Sequence, residues 1–331
     1  MKPDSLATIG RLNWIDWMKA ILIMLVVLGH TGGTFTKEIY LFHVPAFFFV
    51  SGYLSKFDIP IKKLIQSVVP LVAAVLLYIL AHAFISYSIN VISNQTIDIR
   101  KGITLCPQFW FVWVLVIMKF ITNAVQRFVG IITVKWGGVI LLCIIYIFLS
   151  HASRIHTSFY IDRTICAMPY FIIGNRIRQY FGCTLEREAR LENWTKIKNL
   201  LLSALLFAFM IGIMKFENGG EITDMYHFCF GNSVVLYYVM AMLGTAALMI
   251  VARTLPRNRI IEDISDGTFL ILGVHFQVVK GLKPVVESIG DESQLVSLLL
   301  VLILCYPLII LSKIYCPILL GKDKKKFKII K

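Results

Sequence analysis

Apolar runs alternate with short polar stretches along the whole chain, and each run is close to the ~20 residues a helix needs to cross a bilayer. Read by window, the pattern predicts about ten membrane helices, over residues 14–33, 40–56, 64–92, 108–126, 137–151, 158–175, 197–215, 230–252, 266–284 and 294–316. The expected fold class is therefore an all-α polytopic membrane protein. An even number of spans puts both termini on one side. Pro70, Pro169 and Pro307 fall inside runs and are expected to kink them. No repeat interrupts the series. Residues 1–331 read as a single membrane domain, and 322–331 as its basic tail.

Composition sharpens this picture. Of 331 residues, 58% are hydrophobic, and the mean hydropathy of +0.77 is too high for a soluble domain. The net charge of +14 is a weak argument for nucleic acid, because Lys and Arg gather in alternate loops. That is the positive-inside pattern, and it places both termini in the cytoplasm. The inner set includes Lys62, Lys63, Arg127, Arg176, Arg178, Arg187, Arg190, Arg253, Arg257 and Arg259. The outer loops are more acidic, with Glu217, Glu221, Asp224, Glu287, Asp291 and Glu292. Membrane lipids are thus expected partners, the tail lying against anionic headgroups, and nucleic acid is not. Trp14 and Trp17 fit an interfacial belt.

The first run follows basic residues, as a signal peptide would, but Asp16 and Lys19 interrupt it and no small-x-small cleavage site follows. A retained first span is expected. Seven cysteines form no C-x-x-C pair, so neither a zinc site nor a disulfide framework is indicated. Cys106 and Cys229 are the pair that could meet on the outer side.

Candidate chemistry concentrates between Trp14 and Tyr53. Titratable groups inside lipid are costly and usually face a partner or a cavity. Asp16, Lys19 and His30 share one stripe of the first helix, Lys19 and His30 lying about 16 Å apart by helix rise. His43 opens the second helix, with Pro45 expected in its first turn, and Ser51 and Gly52 suit close helix packing. A plainer arrangement is an Asp16–Lys19 ion pair at the inner interface, with His30 merely ending the helix.

The runs RLNWIDWMKAILIMLVVLGH and FHVPAFFFVSGYL resemble the opening signature of the acyltransferase family 3 membrane proteins, most of all the fucose 4-O-acetylase-like branch. PQFWFVWVLV, MPYFIIGNRI and DGTFLILGVHF extend the resemblance over nearly the whole chain. It implies a ten-span bundle in a bacterial cytoplasmic (inner) membrane, moving an acyl group, usually acetyl from acetyl-CoA, to a sugar hydroxyl. No resident cofactor is implied. His30 matches the family's essential histidine and His43 the FHxP histidine. Lys19 falls where many members carry arginine, and lysine grips an anion as a point charge rather than a fork.

The chemistry needed agrees with these residues. A base must take the hydroxyl proton, and histidine is suited to that near neutrality. His30, His43 and Asp16 are the catalytic candidates. Lys19, Arg163, Trp110 and His275 are candidates for substrate contact, Trp110 as a stacking platform for a sugar ring. Arg253, Arg257 and Arg259 are candidates for the CoA phosphates. Asp162 and Arg163 are neighbours in sequence and should point apart, each toward its own partner. His82 reads as a packing residue, and His151, His156 and His227 as solvated. No metal-ligand spacing, Gly-rich phosphate loop or G-x-S-x-G elbow occurs. A transporter or flippase of saccharide or lipid intermediates would also explain buried charge, but no pair of matching halves is visible. A non-catalytic scaffold gives no reason for the hairpin's polar cluster.

Overall fold

The computed structural model describes residues 11–92, 107–128, 140, 143–149, 160–187, 193–217, 219–288 and 294–323. It is all-helical over these residues. The long helices are α1 (Asn13–Gly29), α2 (Thr36–Leu54), α3 (Ile61–Ile92), α4 (Trp110–Phe128), α5 (Ile161–Arg187), α6 (Asn193–Phe216) and α7 (Val234–Thr254). They are followed by a short α8 (Arg259–Asp266), then α9 (Thr268–Glu287), α10 (Gln294–Tyr315) and a 3-10 turn (Pro317–Leu320). A further helical piece covers 143–149.

Five segments are long and apolar enough to cross a membrane: Ile61–Ile85, Pro107–Arg127, Thr195–Phe216, Val234–Thr254 and Gln294–Tyr315. Their outer surfaces expose Leu80, Phe84, Leu205, Phe209, Leu299 and Ile303, the apolar belt that lipid requires. α1 and α2 fail that measure because α1 has only 17 residues and both carry charge. Their burial explains why this is tolerated. One side of α1 packs Trp14, Met18 and Leu22 into a core with Phe48, Tyr53, Tyr170 and Phe171. The other packs Ala20, Ile23 and Val27 against Ile264, Ile271, Val301 and Ile309. A helix wrapped by protein on both sides has little need of a lipid-facing surface.

Close approach of α2 to α5 rests on two glycines. A Cβ at Gly52 would stand 1.9 Å from the Phe171 carbonyl oxygen, and one at Gly174 2.0 Å from that of Phe49. Any side chain there would push the backbones apart.

Three expectations are corrected. α2 begins at Thr36, so Pro45 lies in the helix interior and not in its first turn. There it withholds a donor from the Leu41 carbonyl. Trp14 is buried edge-on against Tyr53, with ring centroids 4.8 Å apart, so it is core rather than interfacial belt. Cys229 is a free thiol, and Cys106 lies outside the described residues. Pro70, Pro169 and Pro307 do fall inside helices.

Candidate active site

Four helices each turn one stripe toward a common cavity of about 550 Å³. α1 contributes Lys19, Ile23, Val26 and His30, and α2 contributes Tyr40, His43, Phe47, Ser51 and Leu54. Both series step by three or four residues, the spacing that keeps side chains on one helical face. α4 adds Trp110, Phe111 and Leu115, and α9 adds Thr268, Leu272, His275 and Phe276. Lys19 and His30 are three turns apart on α1, so the cavity runs along the helix for about 16 Å.

The His30 end is built by the α1–α2 turn. Helix α1 stops at Gly29, and the His30 amide bonds the Val26 and Val27 carbonyls at 3.2 and 3.1 Å. Gly32, at φ 76°, reverses the chain, and the Thr36 hydroxyl donates to the Gly33 carbonyl at 2.7 Å as α2 begins. Tyr40 then faces back on His30. Its Oη lies 3.0 Å from His30 Nδ1. Gly29 permits this, since a Cβ there would sit 3.0 Å from the Tyr40 ring.

Two further imidazoles complete the cluster. His43 Nδ1–H donates to the Ile39 carbonyl at 2.7 Å. His275 Nδ1–H is shared between the Ile271 and Leu272 carbonyls, at 3.1 and 2.9 Å. A carbonyl can only accept, so each neutral ring keeps a lone pair on Nε2. His275 is fully buried, its Nε2 has no partner, and its ring centroid is 5.2 Å from that of His30.

A small hairpin between α6 and α7 closes this end. An antiparallel bridge joins Asp224 and Cys229. The Asp224 carboxylate accepts from the Tyr226 amide at 2.8 Å and lies 2.5 Å from His227 Nδ1. Asp224, Tyr226 and His227 all line the cavity, and Tyr226 stands 5.4 Å from Trp110, centroid to centroid. Arg163 is not on the cavity. It stands behind the hairpin, with its guanidinium 4.6 Å from the Tyr226 ring centroid and 5.0 Å from that of Phe228. Its Nε–H donates to the Tyr226 carbonyl at 3.0 Å. The stack holds Phe228 at a positive φ of 57°, a strained value for a bulky residue. Asp162 and Arg163 pair with each other at 3.2 Å, against the expectation that they point apart. The long arginine side chain folds back over the first turn of α5.

The Lys19 end is polar in a different way. Lys19 Nζ donates to the Ser265 carbonyl at 2.7 Å. Asp16 faces a smaller neighbouring cavity of about 310 Å³ that shares Lys19, Leu54 and Asp266 with the first. Its partners are Arg11, at 2.7 and 3.0 Å, and the Ser265 hydroxyl, at 2.6 Å. The Asp16–Lys19 ion pair is thus replaced by contacts to α8. That helix is capped by the Asn258 side chain, which accepts from the Ile260 amide at 2.9 Å, and by Arg11, which donates to the Glu262 carbonyl at 2.7 Å. Asp266, at the end of α8, receives Lys313 at 2.7 Å and Lys322 still closer. Lys322 belongs to the chain after the last turn, and it lines the cavity with Leu320 and Gly321.

Of the residues proposed from sequence, Lys19, His30, His43, Trp110 and His275 line the one cavity. Asp16, Arg163, Arg253, Arg257 and Arg259 do not. Arg257 is exposed and paired with Glu262, and Arg259 begins α8 at the surface. Tyr40, Asp224, Tyr226, His227 and Lys322 are cavity residues that sequence reasoning did not single out. Only Tyr40 carried a local signal, standing three residues before His43 and so on the same face. His82 behaves as a packing residue, donating from Nε2–H to the Gly273 carbonyl at 2.9 Å.

Burial works against ionisation of Asp266, but Lys322 and Lys313 outweigh it and hold the carboxyl well below its ordinary value of 3.8. A depressed carboxyl adds stability above that value and loses it as the pH falls toward the folded value. Asp266→Asn is therefore expected to lower the melting temperature at neutral pH. Scans at decreasing pH should show the gap to the parent protein narrowing only below 3.8.

Compared with protein families, residues 12–314 match the acyltransferase domain of family 3. The chain belongs to acyltransferase family 3. Comparison with curated proteins and with solved structures gave no match. The family makes this chain a membrane acyltransferase, and His30, His43, His227 and His275 line its cavity.

Proposed function

We propose that this acyltransferase moves an acetyl group from acetyl-CoA to a hydroxyl of a cell-surface or lipid-linked saccharide, in the manner of the fucose 4-O-acetylase-like branch. The bundle crosses a cytoplasmic membrane about ten times with both termini inside. The observation that carries the reading is the single cavity with Lys19 and Lys322 at one end and His30 at the other. Its volume suits a ligand site, which is commonly ~300–1,000 Å³. The cationic end takes the phosphates of CoA from the cytoplasm. The apolar middle takes the pantetheine arm. The imidazole end meets the acceptor from outside.

His30 is the base. In the reactive tautomer its Nδ1–H donates to the Tyr40 oxygen, leaving the Nε2 lone pair for the acceptor hydroxyl. His30 removes that proton as the acceptor oxygen bonds to the thioester carbonyl carbon. The Tyr40 hydroxyl hydrogen remains available for the developing oxyanion. The C–S bond then breaks, the carbonyl reforms, and the CoA thiolate leaves with the proton held by His30. Tyr40→Phe removes both the orienting partner and the donor, so kcat is expected to fall about 10–100-fold. Steady-state kinetics with the melting temperature unchanged checks this.

The test of the reaction is direct. Purified protein in detergent, given labelled acetyl-CoA and a saccharide extract, should yield labelled saccharide. A transporter of saccharide or lipid intermediates would leave the label on CoA.

A further inference from the structure

We propose that the His30 end of the cavity admits a neutral, hydroxyl-rich ring and rejects one bearing a carboxylate. What becomes of the ring rests on the acyl-transfer reading, whereas its admission depends on the lining alone.

The lining at this end offers hydrogen-bond acceptors. Nδ1–H of His43 and of His275 is spent on carbonyls of its own helix, so each neutral ring presents only Nε2. His275 Nε2 is buried and without a partner, so it calls for a donor from a ligand. Asp224 adds a carboxylate whose oxygens each make one contact within the hairpin and keep a further lone pair. Trp110 and Tyr226 supply the aromatic faces on which the C–H side of a sugar ring packs. A sugar matches this lining, because every hydroxyl donates one hydrogen and every pyranose ring has an apolar face.

Charge makes the choice sharper. The ammonium groups lining the cavity, Lys19 and Lys322, belong to the opposite end. Arg163 stands behind the hairpin, held by Asp162 and the Tyr226 carbonyl. Among the described residues that line this end, the exposed His227 ring, already against Asp224, is the remaining imidazole. A uronate or sialate ring would bring its anion toward Asp224, and among the described residues that line this end no guanidinium or ammonium is there to receive it; the Lys37 ammonium, engaged by the Gly220 carbonyl, is not part of the lining.

The experiment measures binding without turnover. Purified protein is titrated with a panel of methyl hexopyranosides and the matching methyl hexopyranosiduronates, with acceptor binding followed by ligand-observed magnetic resonance. The expected result is a preference of at least about tenfold for the neutral member of a pair, from like-charge repulsion alone. Asp224→Asn keeps the shape and the bond from the Tyr226 amide but drops the charge, so the preference should shrink below about threefold. Asp224→Glu should retain it. Equal binding of both members by the parent protein, tighter binding of the uronates, or no binding of either class would overturn the inference. So would an undiminished preference in a folded Asp224→Asn protein. The same sugars offered with labelled acetyl-CoA report separately on transfer. Selective binding without transfer would leave the inference standing and count against the proposed reaction.

Discussion

Replacing His30 with alanine is expected to abolish acyl transfer while leaving a folded protein in the membrane. A positioned base accelerates proton transfer by about 10²–10⁴-fold, and with Tyr40 losing its partner the upper half of that range applies. The side chain is half-buried at the end of α1 and faces the cavity rather than the packed core. Its ring contacts are with Tyr40, His275 and Phe276, which line the same cavity. The melting temperature and detergent elution volume should match the parent protein. His43 and His275 should not substitute, because neither is hydrogen-bonded to Tyr40, whose hydroxyl serves the developing oxyanion beside His30. Transfer retained within tenfold would mean that the base lies elsewhere.

Lys19→Ala is expected to act on the donor and not on the chemistry. A hydrogen bond to a charged group contributes roughly 1.5–3 kcal/mol, so KM for acetyl-CoA should rise about 10–100-fold with kcat changed little. The ammonium already faces the cavity while donating to the Ser265 carbonyl, so it needs only to turn toward a phosphate. Initial rates over a range of acetyl-CoA concentrations separate the two constants. A fall in kcat at constant KM would place Lys19 in the reaction, and a fall in melting temperature alone would make it a packing residue for α8.

The reach of the sequence is clearest in the first hairpin. Spacing by three and four residues placed Lys19 and His30 on one face, and that face lines the cavity. The same periodicity is silent about what lies across from it. Arg11, Asp16 and Lys19 find partners 246–251 residues away on α8, a helix too short and too polar to register as an apolar run. Lys322 looked like part of a basic tail because charge counting cannot see the turn at Pro317–Leu320 folding it to the Lys19 end of the cavity. Arg253, Arg257 and Arg259 were natural phosphate candidates by position and charge, yet Arg257 is committed to Glu262 at the surface.

Hydropathy had a different blind spot. It marked 14–33 and 40–56 as membrane spans like the rest, whereas α1 and α2 owe their place to the protein around them. The hairpin carrying Asp224, Tyr226 and His227 has no periodicity at all. It is shaped by one bridge and an arginine stacked behind it, and neither leaves a pattern in the chain.

A thioester on one side of the membrane is expected to reach an acceptor on the other through a single cavity. Protein reconstituted in sealed vesicles, with labelled acetyl-CoA confined to the Lys19 face and saccharide to the His30 face, tests it most directly. The account predicts labelled saccharide in the compartment that never held acetyl-CoA, and none with His30→Ala. Label reaching saccharide only when both substrates share one compartment would contradict it.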